Sequence, residues 1–506
     1  MGKLDILIVG GGPSSVSAIC AIVDQAIEGD FCQKVRVIVV ERSGEAGRGL
    51  AFGTTDDGHL TNMPAHSLRI PPREKHDFLK WAVAQGRVSP FVGRGSVYVP
   101  RSDLGDYLAV RGAEACVEAE RHGMQVDFMA DDVVRLRRDQ GRWAAELDSG
   151  LVLRAHQVLL AIGNQPSARF RRLRGAPGFI PHAWPAERLA DIPKNARVGL
   201  IGASLTSIDV LVTLETLGHQ GDVVWGSRSG RLPSVRPDYD PDQEIRHLAP
   251  ERLAHLVAAQ GRGLTLDQLF TLWTMDCLEA GLPAAAIDFM RPDGRGALER
   301  LRDELGASGG RDLRFSLLRA ASEHSAHAWR ALSPKAKRTF ANRWSTAFGA
   351  AAYPCPPRNG ARMLGWLESG RVALPGRLAA GPDAVRACAG GFELTFGDGS
   401  VERVDRLIDA TGGGYDLAAS NDPLIRGLLA DGQLRPNPFG GGDVVFETGA
   451  VIAADGRIAE DLHLVGAQTR GVHFFTNSLE KNALAACAAV RPMFRPLRQA
   501  RRLAVA

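Results

Sequence analysis

A glycine-rich turn near the start of the chain is the first group of residues whose types and spacing could do chemistry. The turn reads Gly-Gly-Gly-Pro-Ser-Ser over residues 10–15. A short, mostly apolar segment, residues 4–9, precedes it, and apolar residues at helical spacing follow it: Val16, Ile19, Cys20, Val23 and Ile27. A strand, a glycine turn and a helix in this order are typical of a dinucleotide-binding unit.

Each small residue of this turn has a specific physical use. Gly10 permits a tight turn, and Gly12 lets the backbone approach a pyrophosphate at the positive end of the helix. Ser15 replaces the third glycine of the usual pattern, and it is small enough to keep the helix packed on the strand. We therefore predict a nucleotide site formed by Gly10, Gly12, Pro13, Ser14 and Ser15.

A carboxylate ends the next predicted strand. Residues 35–40 are rich in valine and isoleucine, and Glu41 follows them directly. A carboxylate in this position accepts hydrogen bonds from a ribose hydroxyl of a bound dinucleotide. Glu41 therefore strengthens the prediction of a nucleotide site beyond what the glycines alone support.

A second, degraded glycine turn lies in the middle of the chain. Residues 197–201 read as a strand, Gly-Ala-Ser-Leu-Thr-Ser follows at 202–207, and a helix is predicted to about residue 217. The small side chains at Gly202 and Ser204 still permit close approach of a phosphate. The hydroxyl groups of this turn could add hydrogen bonds to it.

The strand that follows the second turn ends without an acidic residue. Residues 222–226 are followed by Ser227 and Arg228. A cation in this position suits the 2′-phosphate of NADPH, so we predict NADPH as the second cofactor in preference to NADH. The alternative is that this second unit is only structural, because it contains few glycines.

Two similar segments surround the second turn. Residues 143–163 and 392–412 each read as two short strands joined by a turn, followed by an apolar strand that ends at glycine. Each resembles a β-meander that returns to a nucleotide-binding sheet. Since one copy precedes the second unit and the other follows it, the second unit is predicted to be inserted into the first.

Composition excludes several other classes of protein. The formal net charge of +4 over 506 residues is too small to indicate a nucleic-acid partner. The seven cysteines form no C-x-x-C pair, which argues against a redox disulfide or a cysteine-bound metal and fits a cytoplasmic protein. No leader peptide or apolar run of about 20 residues is evident, so we expect neither secretion nor a membrane span.

Together with these turns, several further motifs resemble a known group of enzymes. The order of the first turn, Ala161-Ile162-Gly163-Asn164, the second turn and a late Asp409-Ala410-Thr411-Gly412 is similar to flavoproteins that bind two dinucleotides. Within that group, the chain resembles a bacterial FAD/NAD(P)-binding family related to class B flavoprotein monooxygenases of the N-hydroxylating type. The motifs that carry the likeness are found at residues 47–53, 60–64, 99–108, 205–209, 227–233 and 465–467.

The resemblance implies further contacts with the cofactors. It places Gly49 to Phe52 and Asn62 with Met63 along the flavin ring, Arg101 near the flavin or its diphosphate, and Gly466 near the second part of FAD. Asn477 or Ser478 would cap a last helix that points at the flavin. The full set of predicted cofactor-binding residues is Gly10, Gly12, Pro13, Ser14, Ser15, Glu41, Arg42, Gly49, Leu50, Ala51, Phe52, Asn62, Met63, Arg101, Val133, Gly163, Asn164, Gly202, Ser204, Leu205, Thr206, Ser227, Arg228 and Gly466.

The predicted fold is α/β, with an NADP-binding Rossmann domain inserted in a discontinuous FAD-binding domain and an additional, mostly helical insertion. The expected bounds are 1–185 and 401–506 for the FAD-binding domain, 186–235 and 373–400 for the NAD(P)-binding domain, and 236–372 for the helical insertion. Aromatic stripes within the insertion, such as Phe340, Trp344 and Phe348, are predicted to form its core.

The substrate is less well indicated. His182 and Trp184 occupy the place of a His-and-Trp fingerprint of class B enzymes, but their shorter spacing argues against ketone oxygenation and suits a hinge packing motif equally well. Arg358 and Arg362 could bind a carboxylate, although a surface position is the simpler interpretation. No metal site is expected from His324 and His327, since no further ligands lie near them in sequence.

The resulting prediction is an FAD- and NADPH-dependent monooxygenase. It would use O₂ to hydroxylate an amine nitrogen of a small metabolite or amino acid through a flavin hydroperoxide, with a homo-oligomer possible. The absence of an evident acid–base pair fits this chemistry, because the flavin carries the reaction. The alternatives are an FAD-dependent oxidase or dehydrogenase without oxygen insertion, and a non-catalytic nucleotide-binding redox protein.

Overall fold

The computed structural model describes residues 3–44, 46–74, 76–90, 97–290 and 294–505 of the chain. Its largest sheet, called here the first sheet, is mostly parallel and has one antiparallel edge strand. In spatial order its strands are Ala450–Ile452, Ile458–Leu464, Gln157–Leu160, Leu4–Val9, Val35–Val40 and Gln125–Met129.

The first glycine turn lies where the strand order of this sheet reverses. Leu4–Val9 pairs with Val35–Val40 on one side and with Gln157–Leu160 on the other. A ligand of a parallel sheet binds at the carboxyl ends of the strands at such a reversal. The residues that follow Val9 and Leu160 therefore form the edge of a potential cleft.

A second parallel sheet contains the second glycine turn. In spatial order its strands are Val372–Ala373, Val223–Gly226, Val198–Ile201, Arg406–Asp409 and Phe179–Ile180. The order reverses beside Val198–Ile201, which lies between Val223–Gly226 and Arg406–Asp409. The two sheets thus place their glycine turns at equivalent positions.

The inserted arrangement predicted from the sequence is present. All strands of the second sheet lie in the chain between Gln157–Leu160 and Ile458–Leu464, which are neighbours in the first sheet. The second sheet, however, extends further at both ends than the predicted bounds of 186 and 401. Phe179–Ile180 and Arg406–Asp409 both belong to it. Strands join a parallel sheet through backbone hydrogen bonds, which can form between segments that are distant in the sequence.

The two similar segments seen in the sequence form two equivalent β-meanders. The strands of the first meander are Val133–Asp139, Arg142–Leu147 and Val152–Ala155. Those of the second are Val385–Cys388, Gly391–Thr395 and Val401–Val404. Each meander leads directly into a strand of its own sheet, so the second copy returns to the second sheet.

Helices cover both sheets and form the predicted insertion. The longer helices of the sheet regions are Pro13–Glu28, Asp77–Ala84, Arg101–Arg121, Leu205–Thr216, Pro423–Ala430, Leu479–Met493 and Arg495–Val505, and short helices lie at Gly49–Phe52 and Arg470–His473. The insertion contains Pro250–Gln260, Leu266–Glu279, Ala284–Ile287, Ala297–Ala307, Leu313–Glu323, Ser325–Ala331, Pro334–Arg343, Ser345–Ala352 and Pro357–Glu368. Segment 291–293 of the predicted insertion lies outside the described residues.

Apolar side chains fill separate cores on the two faces of each sheet. Pro13–Glu28 buries Val16, Ile19 and Ile22 against the first sheet and against Leu479–Met493, called here the last long helix. The aromatic stripes of the insertion pack into a core of their own, with Phe340 buried and Trp344 and Phe348 packed against it, as predicted. Among the described residues, no helix is long and apolar enough to cross a membrane.

The returning strand of the first sheet provides a test of the inserted fold. Leu462 lies fully buried in the core between the first meander and the first sheet. We expect Leu462→Ala to lower the free energy of unfolding by about 2–5 kcal/mol, because it leaves a cavity in a packed core. In urea denaturation, the matched variant Leu151→Ala, at an exposed position, should change it by less than about 0.5 kcal/mol. Equal effects of the two variants would contradict this packing.

Candidate active site

The two glycine turns share one geometry. Gly10 has a φ of +97°, and a β-carbon on it would lie 2.5 Å from the carbonyl oxygen of Ala161. Gly202 has a φ of +114°, and a β-carbon there would lie 2.5 Å from the carbonyl oxygen of Ala410. Both positions combine the left-handed region with contact to a neighbouring strand, so only glycine fits without strain.

A serine five residues after each of these glycines completes the equivalence. Ser15 donates its hydroxyl to the carbonyl of Gly10 at 2.5 Å, and Ser207 donates to the carbonyl of Gly202 at 2.6 Å. Both serines are fully buried. In both turns, a serine thus occupies the position of the usual third glycine, and its hydrogen bond holds the start of the turn to the helix.

The first turn borders an open backbone surface. Gly49 lies so close to it that a β-carbon on Gly49 would be 3.1 Å from the Cα of Gly12. Gly466 faces the same helix start, since its β-carbon would lie 3.6 Å from the hydroxyl of Ser14. The helix Gly49–Phe52 beside the turn leaves Leu50 46% exposed. Bare backbone next to exposed apolar side chains fits the diphosphate and the ring of a flavin.

The residues predicted to bind the adenosine end lie at the ends of the next strands. The Glu41 carboxylate accepts a hydrogen bond from the backbone N–H of Gly11 at 2.6 Å, so it faces the turn. Its contact with a ribose hydroxyl stays a prediction. Arg42 instead directs its guanidinium outward to Asp132, 2.6 Å away. Val133 follows Asp132 and is buried at the start of the first meander.

Arg101 lies in a buried ion pair that connects the two sheet regions. Its guanidinium contacts the Asp209 carboxylate at 2.8 Å, with both side chains largely buried. It also donates to the carbonyl of Leu60 at 3.0 Å, directly before the segment that contains Asn62 and Met63. The predicted contact of these three residues with the flavin stays a prediction, and the ion pair shows an additional role of Arg101.

His59 and Trp184 surround this ion pair. The ring nitrogens of His59 lie 2.7 Å from the hydroxyl of Thr54 and 2.9 Å from that of Thr213. The Trp184 ring packs edge-on against His59 at 5.1 Å, and the Arg101 guanidinium lies 5.9 Å from the Trp184 ring centre. Trp184 therefore packs at the junction of the two sheets, which is the hinge interpretation considered for the sequence.

Burial controls the ionisation of the carboxylate at this junction. It raises the pKa of Asp209, and the positive charge of Arg101 and the ring of His59 oppose that shift. A buried carboxylate without such a partner would be costly. The helix of the second turn, on which Asp209 lies, is thereby tied to the segment around residues 59–63 of the first sheet region.

The second turn lies beside two arginines. Arg228 is exposed at the end of its strand, as predicted, and Ser227 accepts a hydrogen bond from the backbone of Gly230. Partial burial and the nearby charge of Arg228 lower the pKa of Arg169. Ser204, Leu205 and Thr206 lie at the start of the helix, whose first turn contains no acidic residue. The site is therefore suited to an anion.

The connecting segments between the two sheets meet at a buried glutamine. Gln468 donates to the carbonyls of Gly163 and Gly414, both at 3.2 Å. A β-carbon on Gly413 would contact the side chain of Asn164, so Asn164 packs between the two connections. This arrangement places the predicted residues Gly163 and Asn164 close to Gly466, which lies two residues before Gln468.

The last long helix begins as predicted at Ser478, which accepts a hydrogen bond from the backbone N–H of Lys481. The Lys481 ammonium contacts the hydroxyl of Ser325 at 2.8 Å and the carbonyl of Ser322. Burial, and then the charge of Arg319, lower the pKa of Lys481 to about 8. The start of this helix is thus packed against the helical insertion.

A pocket of about 540 Å³ opens between the insertion and the carboxyl-terminal segments. Its lining includes Trp329, Arg338, Asn342, Tyr415, Arg470 and Phe474. The Arg470 guanidinium lies 4.8 Å from the ring of Tyr415. Among the described residues, no cluster of ligands could hold a metal ion, and Arg362 is paired with Glu215.

Sequence reasoning missed several residues of this region. Asp209 lies in a motif for which no role was predicted, and His59, Arg169 and Gln468 carried no signal in a single sequence. The Ser207 hydroxyl, predicted with the others of its turn to bind a phosphate, donates to the carbonyl of Gly202. A carboxylate between apolar neighbours on a helix, as at Asp209 between Ile208 and Val210, is the one sign that could have indicated a buried partner.

Comparisons with known proteins agree with the geometry. Residues 7–165 match a family model described as FAD-NAD(P)-binding. That segment contains the first turn, Glu41, the helix Gly49–Phe52 and the Asn62 segment, so the first part of the chain is an FAD-NAD(P)-binding domain. No curated protein matches the sequence at a significant level.

Solved structures of three enzymes share the fold over almost the whole chain. They are an ornithine hydroxylase from Pseudomonas aeruginosa, with a TM-score of 0.53, an ornithine N-hydroxylase from Kutzneria sp. 744 in a structure with reduced FAD, NADP⁺ and L-ornithine, at 0.52, and an L-lysine 6-monooxygenase from Pseudomonas syringae, at 0.52. Each is 15% identical, and the match covers 98% of this chain and 100% of the other. The predicted two-dinucleotide fold is confirmed.

The ion pair between Arg101 and Asp209 can be tested by removing its negative charge. We expect Asp209→Asn to lower the free energy of unfolding by about 3–5 kcal/mol, because it leaves a buried guanidinium without its counter-charge. Thermal and urea denaturation of the purified protein measure the effect. The control Glu368→Gln removes the partner of Arg302 in an exposed pair and should cost less than about 1 kcal/mol. A small effect of Asp209→Asn would contradict the proposed junction.

Proposed function

We propose that this chain is an FAD- and NADPH-dependent monooxygenase that hydroxylates an amine nitrogen of a small metabolite or amino acid. The observation that carries the proposal is the pair of equivalent glycine turns, one on each sheet, tied together by the Arg101–Asp209 ion pair. Both helix starts have free backbone donors and no acidic residue in their first turn. Each turn can therefore bind the diphosphate of one dinucleotide.

The charges at the two sites assign one cofactor to each. The first turn faces the Glu41 carboxylate, which suits the unmodified ribose of FAD. The second turn has Arg228 and Arg169 nearby, whose like charges repel each other. A 2′-phosphate would neutralise both, so the second site favours NADPH over NADH.

FAD, when bound, supplies the hydride acceptance and the oxygen activation, and NADPH supplies the hydride. The protein orients the reactants and excludes water. The apolar helix Gly49–Phe52 would cover the flavin, and the amino-terminal end of Leu479–Met493, capped by Ser478, would stabilise negative charge near it. The Lys481 ammonium near this helix start contacts Ser325, so the helical insertion borders the same region.

Amine hydroxylation is favoured over other oxygenations by the likeness of fold. The three similar structures belong to enzymes named for ornithine hydroxylation and lysine monooxygenation. Trp184 packs on His59 at the junction of the two sheets. This packing role gives no support for oxygenation of a ketone. An amine nitrogen that has lost its proton is also a nucleophile, which is the reactant that oxygen transfer requires.

A matched pair of glycine variants tests both cofactor sites. We expect the wild-type flavin to bleach rapidly on anaerobic mixing with NADPH. Gly10→Ala should lose most of its FAD, because the added methyl group would collide with Ala161. Gly202→Ala should retain FAD but be reduced at least about tenfold more slowly, since a left-handed alanine costs about 1–2 kcal/mol. Absorbance spectra and stopped-flow traces measure both.

The outcomes separate the candidate functions. If the wild-type flavin binds but NADPH does not bleach it, the protein is an FAD-dependent oxidase or dehydrogenase. If no FAD binds, it is a non-catalytic protein. Once air is admitted with an amine panel, hydroxylamine product supports the monooxygenase, and peroxide without product for every amine contradicts it.

The choice of NADPH over NADH can be tested at Arg228. We expect Arg228→Ala to raise the KM for NADPH about tenfold and to leave the KM for NADH unchanged, because a charged hydrogen bond to a 2′-phosphate is worth about 1.5–3 kcal/mol. Steady-state oxidation of both cofactors measures the effect. The control Arg302→Ala, at an exposed pair on the insertion, should change neither constant. A parallel rise for both cofactors at Arg228→Ala would contradict this assignment.

A further inference from the structure

Arg236 is a buried cation that forms no ion pair with the residues that the structure describes. The residue is 2% exposed, and its Nε and Nη1 atoms have no hydrogen-bond partner among the described residues. Burial is the main cause that lowers the pKa of its guanidinium, to about 10, so it remains charged at neutral pH. A buried charge in this state costs several kcal/mol unless an anion accompanies it.

The position of Arg236 is fixed by its surroundings. Its backbone N–H bonds to the carbonyl of Cys355 at 2.9 Å, and its guanidinium lies 5.2 Å from the ring centre of Phe315. Phe315 belongs to the insertion helix Leu313–Glu323. The guanidinium is therefore held at the boundary between the second sheet region and the insertion, where it cannot turn out to water.

A second arginine, on the same insertion helix, has only part of its guanidinium paired. The Nε atom of Arg319 is buried and has no hydrogen-bond partner among the described residues, although its Nη2 atom contacts Glu323 at 3.3 Å. Arg319 lies four residues after Phe315, so both side chains lie on the helix face that Arg236 packs against, and the charges of Arg236 and Arg319 repel each other. The Lys481 ammonium contacts the carbonyl of Ser322 on the same helix, and the charge of Arg319 acts on it. Three cations from three parts of the chain thus lie around the helix Leu313–Glu323.

These cations lie beside the segments predicted to contact the flavin. Tyr98 is the ionisable group that acts most strongly on Arg236. The backbone on either side of Tyr98 is hydrogen-bonded to Thr61 and Ala65, which flank the predicted flavin segment. Lys481 lies in the first turn of the last long helix. The cluster therefore lies between the insertion and the predicted flavin site.

We propose that Arg236 and Arg319 form a buried anion site for a carboxylate group of the substrate. This proposal rests on the proposed function, because it identifies the substrate as an amine that also carries a carboxylate. A planar carboxylate has two oxygens that can accept from both guanidinium groups. The aromatic rings of Phe315 and Tyr239 pack against each other at 5.6 Å beside the site, and they suit a small planar anion better than a phosphate.

Matched pairs of small molecules test the site without knowledge of the natural substrate. Isothermal titration of the FAD-loaded protein compares butyrate with butyramide, 6-aminohexanoate with hexylamine, and L-lysine with cadaverine, and includes inorganic phosphate. We expect at least one carboxylate to bind the wild type at least tenfold more tightly than its paired analogue, which lacks the carboxylate. Phosphate binding tighter than every carboxylate would overturn the proposed ligand class.

Three variants assign the binding to the arginines. Arg236→Met and Arg319→Met should each weaken carboxylate binding at least tenfold, and the exposed control Arg302→Met should not change it. Arg236→Met should also unfold at the same temperature as the unliganded wild type or a higher one, because methionine removes an uncompensated charge. If Arg236 were merely structural, the variant would melt lower. If that variant does not fold, Arg319→Met decides the question.

The proposal is overturned if no carboxylate binds the wild type, or if both methionine variants bind carboxylates as tightly as the wild type does. Reduction of the wild-type flavin by NADPH, measured in a separate arm without carboxylates, tests the proposed function. If that reduction is absent while carboxylates still bind through Arg236, the monooxygenase assignment fails and the anion site stands.

Discussion

The structure depends on two glycines that have no room for a β-carbon. Gly10 and Gly202 each turn the chain with a positive φ directly against the carbonyl of a neighbouring strand, at Ala161 and Ala410. This contact brings the helix start to the edge of the sheet at the point where the strand order reverses. In each unit, the helix dipole and the free backbone N–H groups therefore point into the cleft at the edge of that unit's own sheet.

The two units are joined at a buried polar junction and not by apolar packing alone. The Arg101–Asp209 pair, with His59 and Thr213 around it, connects the segment before Asn62 to the helix of the second turn. Buried polar groups of this kind add little net stability, but they tolerate few alternative arrangements because each broken contact leaves an unpaired group. The junction thus specifies how the two dinucleotide sites are oriented toward each other.

Charge distinguishes the parts of the molecule that otherwise repeat one another. Glu41 faces the first turn, whereas Arg228 and Arg169 lie at the second. Two further cations, the buried Arg236 and the partly buried Arg319, lie at the boundary with the insertion. Water screens surface charges at little cost, but it does not screen buried like charges in the same way. The positions of individual charges are therefore better indicators of ligands than the overall charge of +4.

The sequence by itself determined several local units: the strands Leu4–Val9 and Val35–Val40, both glycine turns and a helix capped at Asn477 or Ser478. These follow from patterns within a few residues, where backbone sterics and hydrophobic periodicity act. The inserted order of the two sheets followed from a pattern that the chain repeats on either side of the second turn. Only the tertiary structure decided that Phe179–Ile180 and Arg406–Asp409 join the second sheet, that Arg42 turns to Asp132, and that Arg101 meets Asp209. Strand register and buried pairing depend on residues 90 or more positions apart, and no local pattern records which partner each side chain finds.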